Sequence, residues 1–183
     1  KALGGPAYSF TVHGTSEFDR LQKLGIDEKV RRAAFVVAVC AYGRSQLYRR
    51  LKFELWPRIH VVHCGLEAAF HEVDPAIAHR QRLVCVGRLS AEKGQMLLVE
   101  AAYRLSQAGF KFELVLAGDG EMRKELETLI LRCGLQERIR ITGWISSNQV
   151  REEILAACAL VQPSFSEGLP VVVMEAMALR SVG

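Results

Sequence analysis

Seven short apolar runs alternate with segments of helical period, and that alternation restricts the chain to an α/β fold built on parallel sheets. The runs are Tyr8–His13, Phe35–Cys40, Ile59–His63, Arg82–Val86, Glu113–Ala117, Ile139–Thr142 and Leu160–Gln162. Little polar–apolar alternation survives inside them, as expected for strands covered on both faces. Between them, Gly94–Gln107 carries Leu97, Leu98, Ala101, Ala102 and Leu105 at helical spacing, and Glu121–Cys133 carries Met122, Leu126, Leu129 and Ile130. Asn148 is placed to cap a helix running to Cys158, with Val150, Ile154 and Leu155 turned inward. Further helices are expected from Ser16 to Val30 and around Ser45 to about Lys52. The segment Leu66–Gln81 contains Asp74-Pro75 and has no clean period, so a domain boundary is expected near residue 75.

Half of the 183 residues are hydrophobic, enough for packed cores and too many for a disordered chain. The net charge of +4 is scattered. It suits an anionic small ligand and permits peripheral membrane contact; no nucleic-acid partner is expected. The five cysteines form no C-x-x-C pair, so buried free thiols in a reducing cytoplasm are expected. No apolar run nears the ~20 residues of a membrane span, and no signal-peptide pattern opens the chain. The chain begins on Lys1 and ends on Gly183 in mid-element, so it reads as part of a longer protein, truncated at both ends.

Two carboxylates stand out. Glu167 is followed by Gly168-Leu169-Pro170, and Glu175 lies in the apolar run Val171-Val172-Val173-Met174-Glu175-Ala176. Pro170 suits the first turn of a helix, which places Glu167 and Gly168 at its entrance and Glu175 inside it. Eight residues of helix rise about 12 Å, roughly the separation of hexose and ribose in a nucleotide sugar. The backbone N–H groups between them would face a diphosphate. Upstream, Val86-Gly87-Arg88-Leu89-Ser90-Ala91-Glu92-Lys93-Gly94 joins a strand to a helix, so Arg88 and Lys93 project from a loop at the carboxyl edge of a sheet. Two cations there would offset a diphosphate's charge.

Ala117-Gly118-Asp119-Gly120-Glu121 also follows a strand. It lacks the full dinucleotide fingerprint, since Arg123 stands where that pattern needs a small residue; a tight turn with Asp119 as a cap is expected. His13 ends a strand beside Gly14, a plausible cleft position, although a lone histidine there is more often structural. In Thr142-Gly143-Trp144-Ile145, the Trp144 ring would either face a nucleobase or pack. The histidines have no metal-ligand spacing, and no Ser-His-Asp set, Walker loop or Asp-x-Asp motif is present, so no metal is expected.

In order and spacing, Val86–Gly94, Leu116–Gly120 and Pro163–Glu175 resemble the motifs of family 4, or group 1, retaining glycosyltransferases of GT-B architecture. Val39–Gly43 and Val61–Leu66 resemble the close of that family's N-terminal domain. The resemblance implies Rossmann-like parallel sheets. Residues 1–75 would be the remnant of an acceptor-side N-terminal domain, and 76–183 an incomplete C-terminal nucleotide-sugar-binding domain. It implies a UDP-, GDP- or ADP-linked donor, a glycan or lipid-linked acceptor, no cofactor, and a cytoplasmic protein that touches the membrane's inner face peripherally.

By the same resemblance Arg88 and Lys93 bind the diphosphate and stabilise the leaving nucleotide. Glu167 binds the sugar hydroxyls, Gly168 and Leu169 offer N–H groups, Glu175 holds the ribose, and His13 contacts the transferred sugar from the acceptor side. The family's Gly-rich loop early in the N-terminal domain and its closing C-terminal elements are missing. Two alternatives stay open: a nucleotide-sugar-binding module without activity, and another GT-B enzyme such as a UDP-sugar epimerase or a phosphorylase.

Overall fold

The computed structural model describes residues 5–13, 25–71 and 79–179, and backbone only at 79 and 80. The chain divides into two compact units. One takes the described residues up to Gly65 together with Glu167–Pro170; the other takes Leu66–Ser166 and the residues from Val171 on. The boundary expected near residue 75 lies outside the described residues. The division falls earlier because Phe70, 1% exposed, is packed into the core of the second unit.

The first unit holds a parallel sheet in the order β1 (Phe10–Val12), β2 (Val36–Ala38) and β3 (Ile59–Val61). Helices α1 (Ile26–Arg32) and α2 (Ala41–Tyr48) pack Val30 and Leu47, both fully buried, against Val12, Val36 and Ala38. Residues 16–24 of the helix expected to start at Ser16 lie outside the described residues. The helix around Ser45 ends at Tyr48 rather than Lys52, and a 3-10 helix over Phe53–Arg58 follows, with Pro57 inside it. Within this unit Cys40 is the N-cap of α2. Its Sγ accepts from the Gly43 N–H at 3.3 Å and its thiol donates to the Gly168 carbonyl at 3.1 Å.

The second unit is a four-stranded parallel sheet in the order β6-β5-β4-β7. The strands are β4 (His79–Val86), β5 (Glu113–Ala117), β6 (Ile139–Ile141) and β7 (Ala157–Leu160). The helices are α3 (Gln95–Gln107), α4 (Arg123–Arg132), α5 (Ser147–Ala156) and α6 (Val171–Ala178). Strand period 2 assigns the two faces. Leu114 and Leu116 of β5 meet Val99, Leu126 and Leu129 of α3 and α4. Val115 and Ala117 meet Ile154 of α5 and Ala176 of α6 on the other face. A sheet with helices on both sides is the doubly wound arrangement, and it puts the loops after the strands at the carboxyl edge.

Three expectations change here. Helix α3 buries Gln95, Val99 and Ala102, an i, i+4, i+7 stripe, whereas Leu97 and Leu105 face solvent at 52% and 41% exposure. The cap of α5 is Ser146 rather than Asn148. Ser146 Oγ accepts from the Gln149 N–H, and Gln149 Oε1 accepts from the Ser146 N–H, a complete capping box. Strand β7 spans Ala157–Leu160 rather than Leu160–Gln162 because α5 stops at Ala156 and the chain extends at once.

Candidate functional site

Four loops follow the four strands of the second unit and meet at one edge of the sheet. The Gly87 N–H donates to the Ala117 carbonyl at 3.0 Å and the Leu89 N–H to the Asp119 carbonyl at 3.0 Å. The Met122 N–H returns to the Leu89 carbonyl at 3.0 Å. Thr142 binds the β5 loop to the β6 loop: its Oγ1 accepts from the Gly118 N–H at 3.2 Å and donates to the Gly143 carbonyl at 2.7 Å. On the far side the Phe165 N–H donates to the Glu92 carbonyl at 2.9 Å.

Glycine makes this packing possible. A Cβ on Gly118 would run into the Gly87 carbonyl, one on Gly120 into the Leu89 carbonyl, and one on Gly94 into the Pro163 carbonyl. Gly118 and Gly94 also have φ of 150° and 71°, which side chains rarely adopt.

Arg88 and Lys93 stand on the first of these loops, Arg88 exposed and Lys93 half-buried. Beside Lys93, Gly94 is the N-cap of α3 and supplies no side-chain cap to its leading N–H groups. A helix N-terminus with two neighbouring cations favours an anion. Sequence reasoning missed one supporting residue. Gln95, 3% exposed, donates from Nε2 to the Arg88 carbonyl at 2.9 Å and so braces the loop.

Asp119 does not cap α4, whose N-cap is Met122. Its carboxylate accepts from the Gly120 N–H at 2.8 Å and from Arg123 Nη1 at 2.7 Å, and these two contacts hold it below the usual carboxylate range. Trp144 is 71% exposed, so its ring is available to a ligand rather than spent on the core. Beneath the loop, burial pushes the Cys85 thiol up to about 12, against the pull of the Lys93 charge. Its burial makes it an inert thiol, and the other four cysteines are likewise free of disulfides.

Glu175 lies half-buried within α6. Burial raises its pKa, and the Glu67 carboxylate adds to the rise. Glu67 itself accepts from Ser147 Oγ at 2.9 Å. Helix α6 begins at Val171, so Glu167 precedes it and the eight residues to Glu175 are only partly helical. The expected 12 Å rise therefore does not apply. Glu167, Gly168 and Leu169 belong with the first unit, as does the exposed His13, although residues 76–183 were expected to form one domain. The Cys40 thiol bond to Gly168 is one contact that draws this segment there. Among the described residues no group of three or more His, Cys, Asp or Glu is placed to hold a metal, and no helix is long and apolar enough to cross a membrane.

The Alpha-D-kanosaminyltransferase of Streptomyces kanamyceticus is 31% identical over 183 residues, covering 92% of this chain and 47% of that protein. The putative teichuronic acid biosynthesis glycosyltransferase TuaC of Bacillus subtilis is 43% identical over 101 residues, covering 55% of this chain and 23% of that protein. The chain thus spans about half the length, or less, of these curated relatives.

In fold it resembles Anabaena HepE, solved with UDP and glucose, at a TM-score of 0.78 and 20% identity, covering 94% of this chain and 50% of that one. It resembles S. aureus TarM at 0.81 and 15%, covering 95% and 35%. The fold class is therefore α/β, Rossmann-like, of GT-B type. The model of the family described as Glycosyl transferases group 1 matches residues 69–182, which include every edge loop of the second sheet, and the chain belongs to that family.

Proposed function

We propose that the chain is part of a retaining hexosyltransferase. It moves a hexosyl unit from a nucleotide-diphosphate sugar to a glycan or lipid-linked glycan. The observation that carries this reading is the uncapped N-terminus of α3 set beside Lys93 and Arg88 at the carboxyl edge. As the sugar–phosphate bond stretches, the sugar becomes oxocarbenium-like and the β-phosphate gains charge. Fixed cations and N–H groups stabilise that leaving group without reorganising, and this reading needs no divalent metal. Glu167 accepts hydrogen bonds from the donor sugar, with Gly168 and Leu169 offering N–H groups, and His13 meets the transferred sugar. Trp144 faces the nucleobase, and Glu175 receives the ribose hydroxyls. The UDP bound by Anabaena HepE supports a nucleotide donor of this class.

The test is calorimetric titration of the chain with UDP, GDP and ADP, with a chelator present. Transfer from the preferred nucleotide sugar is then followed by NMR of the product anomer in the complete enzyme. Nucleotide binding followed by retained configuration is expected. No affinity for any nucleoside diphosphate would overturn the reading, and binding without transfer in the complete enzyme would favour a binding module. Glu167→Gln is expected to weaken donor affinity and turnover together, about tenfold or more, since hydrogen bonds to charged groups contribute ~1.5–3 kcal/mol. Wild-type kinetics in that variant would remove Glu167 from the site.

Glu175 gives a pH-dependent prediction. Its folded-state pKa is raised, so its contribution to stability is present below the ordinary carboxylate range and lost as pH rises through the raised value. Glu175→Gln should therefore raise the stability of the nucleotide-free chain at neutral pH, flatten its pH profile above the carboxylate range, and weaken nucleotide binding at least tenfold. Urea unfolding at several pH values and the same calorimetry measure both. An unchanged pH profile with unchanged affinity would contradict this role.

A further inference from the structure

Within the first unit, one peptide group of the segment Glu167–Pro170 is held on one side only. The Gly168 carbonyl accepts from the Cys40 thiol at 3.1 Å, across a separation of 128 residues. The thiol is itself fixed. Cys40, 8% exposed, is the N-cap of α2, and its Sγ accepts from the Gly43 N–H at 3.3 Å. A thiol carries a single proton, and here that proton is directed at Gly168 while the sulfur lone pairs serve the helix end.

The Gly168 carbonyl and the Leu169 N–H belong to one planar trans peptide, so they point in opposite directions. Holding the carbonyl on Cys40 therefore turns the Leu169 N–H to the side away from Cys40. That N–H makes no hydrogen bond among the described residues. Helix α6 begins only at Val171, so the helix ladder does not claim it. Gly168 has no side chain to oppose rotation of this peptide, and Pro170 has no N–H to replace a misdirected one.

We infer that Cys40 is a positioning residue of the donor site: its thiol sets the Gly168–Leu169 peptide so that the Leu169 N–H is presented to the sugar–phosphate end of a nucleotide sugar. The inference rests on the transfer reading, in which this segment meets the donor. The thiol touches no substrate and undergoes no covalent change. A peptide turned over would remove one donor and aim a carbonyl oxygen at the electron-rich ligand, adding repulsion to the lost bond.

Three variants of the complete enzyme test this. Cys40→Ser keeps both a donor and an acceptor. Cys40→Ala removes both. Cys40→Asp keeps an acceptor suited to an N-cap and removes the donor. Each is titrated with the nucleoside diphosphate and with the corresponding nucleotide sugar, and each is followed by steady-state kinetics and urea unfolding. Cys40→Ser should stay within about twofold of the parent. Cys40→Ala and Cys40→Asp should both lose about tenfold in nucleotide-sugar affinity and about thirtyfold in kcat/KM. Their nucleoside diphosphate affinity should stay within about twofold of the parent, since Arg88 and Lys93 do not depend on this peptide. That affinity also shows that the variants are folded.

A role confined to capping α2 gives another pattern, with Cys40→Asp as active as the parent and Cys40→Ala merely less stable. The inference is overturned by that pattern, by losses in Cys40→Ser as large as those in Cys40→Ala, or by equal losses for nucleoside diphosphate and nucleotide sugar. Those results would leave the transfer reading in place, whereas a parent enzyme that binds no nucleoside diphosphate would overturn both.

Discussion

Replacing Gly118 by alanine is expected to destabilise the second unit by about 3 kcal/mol, from two separable causes. The new Cβ would press into the Gly87 carbonyl, and that peptide cannot retreat because the Gly87 N–H is bonded to Ala117. The φ of 150° adds strain for any residue with a side chain. Two companion variants separate these causes. Gly134 has φ of 66° and nothing within 4 Å of an added Cβ, so Gly134→Ala should show the conformational cost alone, about 1 kcal/mol. Gly120 has no positive φ but would meet the anchored Leu89 carbonyl, so Gly120→Ala should show the collision alone, about 2 kcal/mol. Urea unfolding of the three proteins tests the order. A Gly118→Ala loss no larger than that of Gly134→Ala would mean that the two loops yield freely, and the site is then not rigid.

The second large effect concerns catalysis. Truncating Arg88 or Lys93 to alanine in the complete enzyme is expected to lower kcat/KM more than a hundredfold, the scale of losing one preorganised donor at a developing oxyanion, ~3 kcal/mol. Charge on the leaving phosphate grows only as the bond breaks, so kcat should fall more than KM rises. Both residues lie on the loop side of the sheet rather than in its core, so unfolding curves should move little. Lys111→Ala, an exposed cation before β5, serves as the control. A loss confined to KM would show that the pair binds donor and transition state alike.

Much of this was legible because burial writes itself into sequence. Glu113–Ala117 reads as a strand and is one, residue for residue, since a central parallel strand needs an uninterrupted apolar run. The start of β4 was hidden, because His79, Arg80 and Gln81 are polar residues that no hydrophobic pattern would assign to a strand. Ala156–Ala159 fits helix and strand alike, which is why the α5–β7 junction was misplaced. The capping box at Ser146 was readable and overlooked. For the site, the motif loops and their cations were readable. The bracing amide of Gln95, the Thr142 bridge and the Glu67 carboxylate that acts on Glu175 were not, because each depends on segments brought together only by folding.

The strand order has a consequence for biosynthesis. β4 is central, yet one of its two neighbours, β7, comes after β5 and β6 in the chain. A nascent polypeptide that has just completed β6 already possesses two of the four edge loops and both helices of one face. It still presents the open side of β4, with the backbone N–H and C=O groups that will pair Leu83 with Ala159 and Val84 with Leu160. During that interval the unfinished sheet offers an open pairing edge to another extended chain, and that edge closes only when β7 arrives.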